Sequence, residues 1–121
     1  MESILSSVKK RIGIEPEYEI YDVDIIDNIN STFSILNQLG VGPKNGFMIE
    51  SSKEIWTDYI PIGQLQNLIR QYVFLRVKRI FDPTSSGNVS DAMNSEINEL
   101  EWRIQEEVEI LKQSNTEGGV E

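Results

Sequence analysis

Five carboxylates crowd into the stretch "IEPEYEIYDVD": Glu15, Glu17, Glu19, Asp22 and Asp24. So many oxygen donors raise the question of a metal site. A calcium loop, however, needs a regular ligand pattern, a glycine at its turn and a bidentate glutamate at its end. This stretch has none of that order, so it reads as a solvated acidic connector whose last aspartates favour the start of the following helix. A second candidate is the loop "GVGPKNGF". Gly40, Gly42 and Gly46 fit neither the Walker nor the dinucleotide spacing, and the loop follows a helix rather than a strand, so it is no phosphate cradle. The chain has no cysteine and no histidine, which removes thiol nucleophiles, disulfides, Cys/His zinc sites and imidazole chemistry. Only carboxylate, lysine or tyrosine chemistry remains, and no pair of such residues stands out. The expectation is a protein that is not an enzyme and uses no cofactor or metal.

Two other side chains ask for an explanation. Arg76 falls in the middle of an apolar helical face, where a guanidinium needs a carboxylate partner or a route to water. It reads either as a snorkelling side chain or as half of a specific buried or intersubunit ion pair. Trp102 lies on the opposite side of its helix from the apolar stripe, among Asn98, Glu106 and Glu109. It cannot belong to the same core, and aromatic anchors ringed by polar groups recur at protein interfaces; the plainer reading is a lone exposed tryptophan.

These residues need helices to position them, and helical periodicity runs almost throughout. Ile4, Leu5, Val8 and Ile12 step by threes and fours and predict a first helix that ends near Gly13. A second helix, about 22–39, buries Ile25, Ile26, Ile29, Phe33, Leu36 and Leu39, while Asp27, Asn28, Asn30, Ser31 and Ser34 face away. Gly40 sits at a left-handed terminator and Pro43 prevents resumption. Phe47, Met48 and Ile49 can form a short extended segment. Ser51 and Glu54 form a capping box for a brief helix with Ile55, Trp56 and Tyr59, either a lid on the core or a docking patch.

The third long helix, about 62–81, puts Leu65, Ile69, Tyr72, Val73, Val77 and Ile80 on one face, with Phe74, Leu75 and Phe81 outside it. A helix apolar on more than one side is central or shared with a neighbour. Asp82-Pro83 stops it, and Ser86 or Asn88 can cap the next. The fourth, about 88–112, carries the stripe Val89, Met93, Ile97, Leu100, Ile104, Val108 and Leu111, whose eleven-residue repeat suits a straight helix rather than a left-handed coiled coil. The expected fold is therefore all-α: a small helical bundle with a long C-terminal helix and a loop-rich segment between helices 2 and 3. Residues 1–112 form one domain, and 113–121, polar and glycine-rich, form a flexible tail.

Charge narrows the partners. A formal charge of -9 opposes free binding to nucleic acid, which depends on Lys and Arg displacing counterions. No basic, apolar leader follows Met1 and no run is long enough to span a membrane, so the expectation is a cytoplasmic product. The third helix carries Arg70, Arg76, Lys78 and Arg79, whereas the fourth is acidic. Opposite signs on two faces suit packing of one subunit on the next, closing into a ring. Arg76, Arg79, Glu99, Trp102, Glu106 and Glu109 are the candidates for that interface; the same charges could also be satisfied within one chain.

The order of a short N-terminal helix, "DIIDNINSTFSILNQLGVGP", the "WTDYIP" turn, "YVFLRVKRIFDPTSS" and a final helix with "AMNSEINELEWRI" resembles the small head-tail connector proteins of tailed bacteriophages, also called adaptor, neck or head-completion proteins. The resemblance covers about residues 3–105. It implies a structural virion protein at the neck, below the portal vertex, assembled in the host cytoplasm. Its implied partners are copies of itself in a ring, commonly twelve-fold, the portal protein and a stopper or tail-completion protein, with DNA only as passing cargo. It implies portal docking through the last helix and its tail, and contacts between rings through the segment holding Pro43, Lys44, Phe47, Trp56 and Tyr59. An acidic lining would repel the passing DNA. The rival reading is an acidic DNA-mimic inhibitor of a host nucleic-acid enzyme.

Overall fold

The computed structural model describes residues 2–81 and 87–120, with side chains described for 2–81 and 91–113. Five helices follow in order: α1 (Ile4–Arg11), α2 (Asp22–Gln38), the single turn α3 (Trp56–Tyr59), α4 (Gln64–Phe81) and α5 (Gly87–Val120). Among the described residues there is no strand, only an isolated bridge between Ser3 and Ile55. The helix stop at Asp82-Pro83 and the caps at Ser86 and Asn88 lie outside the described residues or side chains, as does the placement of Val89.

Each helix begins or ends where local chemistry requires. Ser3 caps α1, its hydroxyl accepting from the N–H of Ser6 at 3.0 Å. Helices α1 and α2 stop in the same way. In α1, Gly13 N–H bonds to Lys10 O and Ile14 N–H to Lys9 O; in α2, Gly40 N–H bonds to Asn37 O and Val41 N–H to Leu36 O. These are paired Schellman closures, and they need a residue with positive φ, found here at Gly40 (+94°).

Helix α4 is the centre of the bundle, with α1, α2 and α5 all packed on it. That is why it is apolar around most of its girth: Ile69, Tyr72, Val73 and Val77 are buried on one face, and Leu68 and Phe74 are buried on its two opposite flanks. Ile80, expected in the buried face, is 52 % exposed. It shares a face with fully buried Ile69, so what it lacks is cover at that end of the helix. The α5 stripe shows the same fading: Ile97, Leu100, Ile104 and Val108 are buried, Met93 is partly covered and Leu111 is 41 % exposed. Helix α5 also continues past Lys112, where the sequence pattern ends it, to Val120.

Between α2 and α4 the chain forms the expected lid. Phe33 of α2 lies 4.5 Å from Tyr59 and 6.4 Å from Trp56 between ring centroids, and Trp56 meets Phe74 of α4 edge-on at 6.0 Å. Trp56 is pinned further, its indole N–H donating to the buried Ser7 hydroxyl of α1 at 2.9 Å. The Ser51/Glu54 pair does not cap the helix; Glu54 instead accepts from the N–H groups of Glu50 and Ser51 and closes the turn before it. The cap falls later, where Asp58 accepts from Ile55 N–H at 2.9 Å.

Candidate interaction surfaces

The acidic connector is organised around a lysine. Lys9 continues the apolar face of α1, four residues after Leu5 and three before Ile12, and is 1 % exposed. An ammonium is tolerated there only if its donors are satisfied. Its Nζ donates to the carbonyls of Pro16 at 2.8 Å and Tyr18 at 2.6 Å, and lies 2.7 Å from Asp22 Oδ1. The Asp22 contact is a charge contact outside hydrogen-bond geometry. One buried cation thus fastens both the connector and the first turn of α2. Glu15, Glu17 and Glu19 stay exposed, and among the described residues no three carboxylates are grouped to hold a metal. Beside them Tyr18, Ile20, Tyr21 and Val23 are also exposed.

The loop after α2 is held by two amides, Asn30, which the helical pattern assigns to the outward face, and Asn37. Asn30 brackets the backbone of Ile49, donating to its carbonyl at 3.0 Å and accepting from its N–H at 2.9 Å. Ile49 therefore receives the pairing a neighbouring strand would supply. Asn37 donates to the carbonyl of Pro43 at 2.8 Å. Gly42 has φ +84°, and a Cβ there would sit 2.7 Å from the Tyr59 ring; only glycine allows this approach. Of the residues expected to dock, Trp56 and Tyr59 are 3 % and 7 % exposed and serve the core, and Phe47 is partly covered, stacked on Tyr59 at 4.8 Å. Burial pushes the Tyr59 phenol up, and its hydroxyl has no hydrogen-bond partner among the described residues. Of the residues expected to dock, Pro43 and Lys44 face solvent, and Met48 beside them is exposed as well.

The seam between α4 and α5 uses the cations expected at a subunit interface. Tyr72, fully buried as a residue, donates from its hydroxyl to Glu101 Oε2 at 2.6 Å, and Arg76 donates to the same hydroxyl at 3.4 Å while lying 3.9 Å from Glu101. Arg76 is thus a half-buried member of an intrachain network. Burial first, then the hydrogen bond to Glu101, pushes Tyr72 up to about 12. Arg79 donates to Asn94 at 2.8 Å, also within the chain. The acidic candidates behave differently: Glu99, Glu106 and Glu109 are exposed on the outer face of α5 around Trp102, which is 62 % exposed.

Sequence reasoning missed Lys9, Asn30 and the pair Arg11 and Arg70. Both guanidiniums approach the ring of Phe74, at 4.7 and 5.9 Å, and Arg70 also lies 5.5 Å from Trp56. Arg70 and Phe74 are four residues apart on one helix face, a spacing that brings side chains together; that signal was there to be read. Among the described residues no helix is long and apolar enough to cross a membrane.

Comparison with known proteins gives one result. A family model described as Phage connector protein matches residues 4–110. No curated protein and no solved structure matches the chain.

Proposed function

We propose, from the premise that the chain belongs to the phage connector protein family, that it forms the ring between portal and tail in the virion neck. Copies pack side by side, extend the DNA channel below the portal and help complete the head. The ring's other neighbours are the portal protein and a stopper or tail-completion protein, with DNA as cargo. The observation that carries this reading is the outer face of α5, where Trp102 stands exposed among Glu99, Glu106 and Glu109, which form no ion pair among the described residues. A large aromatic side chain ringed by charge and left in water is the composition of an interface anchor. The exposed segment Pro43, Lys44 and Met48 is the corresponding candidate for contact between rings, and α5 with its C-terminal turns for portal docking.

Gentle affinity isolation of the tagged chain from its host during phage production, with mass spectrometry of what co-purifies, tests the assignment. Portal, capsid and tail proteins are expected together. Recovery of a single soluble host nuclease or polymerase in their place would overturn the neck reading in favour of a DNA-mimic inhibitor.

A further inference from the structure

We propose that the cleft where α3 meets the start of α4 is the socket for Trp102 of a second copy of this chain, with Arg11 and Arg70 receiving the carboxylates around that tryptophan. This rests on the ring reading and assigns the two surfaces that meet. The cleft, about 270 Å³, is lined by Glu2, Trp56, Ile62, Gln66 and Arg70 among others. That is smaller than the roughly 300–1,000 Å³ of small-molecule pockets, and of a scale with one bulky side chain. Its apolar wall is unfinished, since Ile62 at the rim is 75 % exposed.

Charge selects the occupant. The chain carries 11 Lys and Arg against 20 Asp and Glu; Lys9 is used by the connector, Lys10 by Glu2, Arg76 by Glu101 and Arg79 by Asn94, while Lys44, Lys53, Lys78, Arg103 and Lys112 have neither a carboxylate partner nor a ring contact among the described residues. Arg11 and Arg70 have no carboxylate partner among the described residues, yet both are held against aromatic rings. A guanidinium stacked in this way keeps its planar fork free for a carboxylate and loses less freedom on pairing. Among the described residues lining the cleft Glu2 is the one acid, and its charge is answered by Lys10. The matching surface is an aromatic knob flanked by carboxylates. Glu99 and Glu106 lie three residues before and four after Trp102, on the same helix face, with Glu109 one turn beyond.

The two surfaces also lie on different sides of the molecule. Tyr72 points from α4 toward Glu101 of α5, and Arg70 is about 160° around α4 from it at 3.6 residues per turn. Knob and socket on opposite sides make a heterologous contact, the kind that closes into rings when the rotation allows.

The chain contains no cysteine, so single thiols report the contact directly. Ile62→Cys at the socket rim and Asn98→Cys beside the knob both change exposed positions. Mixed at high concentration under mild oxidation, they are expected to give the Ile62–Asn98 position crosslink well above the statistical share relative to either symmetric disulfide. Adding Arg70→Glu to the socket variant should lower it about tenfold, near 1.4 kcal/mol, and Glu106→Arg on the knob variant should restore it. Sedimentation velocity on the unmodified chain separates the two failures. Association with only statistical crosslinking overturns the socket and leaves the ring reading standing; a monomer at every concentration overturns both.

Discussion

Lys9 decides more than any other single side chain. Replacing it with methionine keeps the apolar stem in the core and deletes the ammonium, leaving the carbonyls of Pro16 and Tyr18 without their donor and the carboxylate of Asp22 without its counter-charge. Removing one partner of a buried pair costs roughly 3–5 kcal/mol; because Asp22 is 25 % exposed and water can reach it, Lys9→Met is expected to cost about 2–4 kcal/mol. Asp22→Asn, which leaves both carbonyl bonds, should cost less. Chemical denaturation measures the stabilities, and a Glu-specific protease should cut Lys9→Met faster at Glu17 and Glu19, the Glu15–Pro16 bond being resistant in either protein. Equal cleavage with unchanged stability would show that the connector holds without its clasp. Little of this was legible beforehand. The spacing from Leu5 and Ile12 places Lys9 on the buried face, but nothing in a one-dimensional pattern shows that backbone carbonyls seven and nine residues away will curl back onto it. Asn30 and Asn37 escaped for the same reason: an amide that binds backbone looks, in sequence, like an amide in water.

At the scale of elements the helices were legible because their apolar residues recur at helical spacing, and because Gly13, Gly40 and Pro43 mark the exits. What the pattern could not supply was cover. Phe74, outside the predicted face, is buried by Trp56 and Arg11, whereas Ile80, within it, is exposed. The extension of α5 through Gly118 and Gly119 runs against a helix cost of about 1 kcal/mol per glycine, and no described side-chain contact accounts for it. The α4–α5 seam yields a pH prediction. Tyr72 is raised from its ordinary 10.0 to about 12, by burial first and by Glu101 second. The unfolded chain therefore releases this proton at lower pH than the folded one, so the stabilisation is complete below pH 10 and drains away as pH rises toward about 12. Tyr72→Phe should cost about 1–2 kcal/mol at neutral pH, through the lost bond to Glu101, and should flatten the alkaline fall in stability followed by circular dichroism. An identical slope in the two proteins would place the alkaline sensitivity elsewhere.

For the whole molecule, the two tryptophans divide the work of folding and assembly. Trp56 is 3 % exposed, joined to Phe33, Phe74 and Ser7 across three helices, and Trp102 is 62 % exposed and outside the core. Trp56→Phe should therefore destabilise the free chain by about 1–3 kcal/mol, whereas Trp102→Phe should stay within about 0.5 kcal/mol of the parent, as surface changes do. Each substitution also leaves a single fluorophore that reports on the other site. Acrylamide, which is neutral and so indifferent to the acidic field around α5, should quench Trp102 freely in the dispersed chain and only weakly once copies assemble. Trp56 should be shielded in both states, since its cover comes from its own chain. If assembly leaves Trp102 as quenchable as before, the outer face of α5 faces open solvent in the ring, and the carboxylates beside it belong to the lining or the outer wall rather than to the seam between subunits. If Trp102 is quenched poorly even in dilute monomer, its exposure in the isolated fold is wrong and the interface assignment loses its anchor.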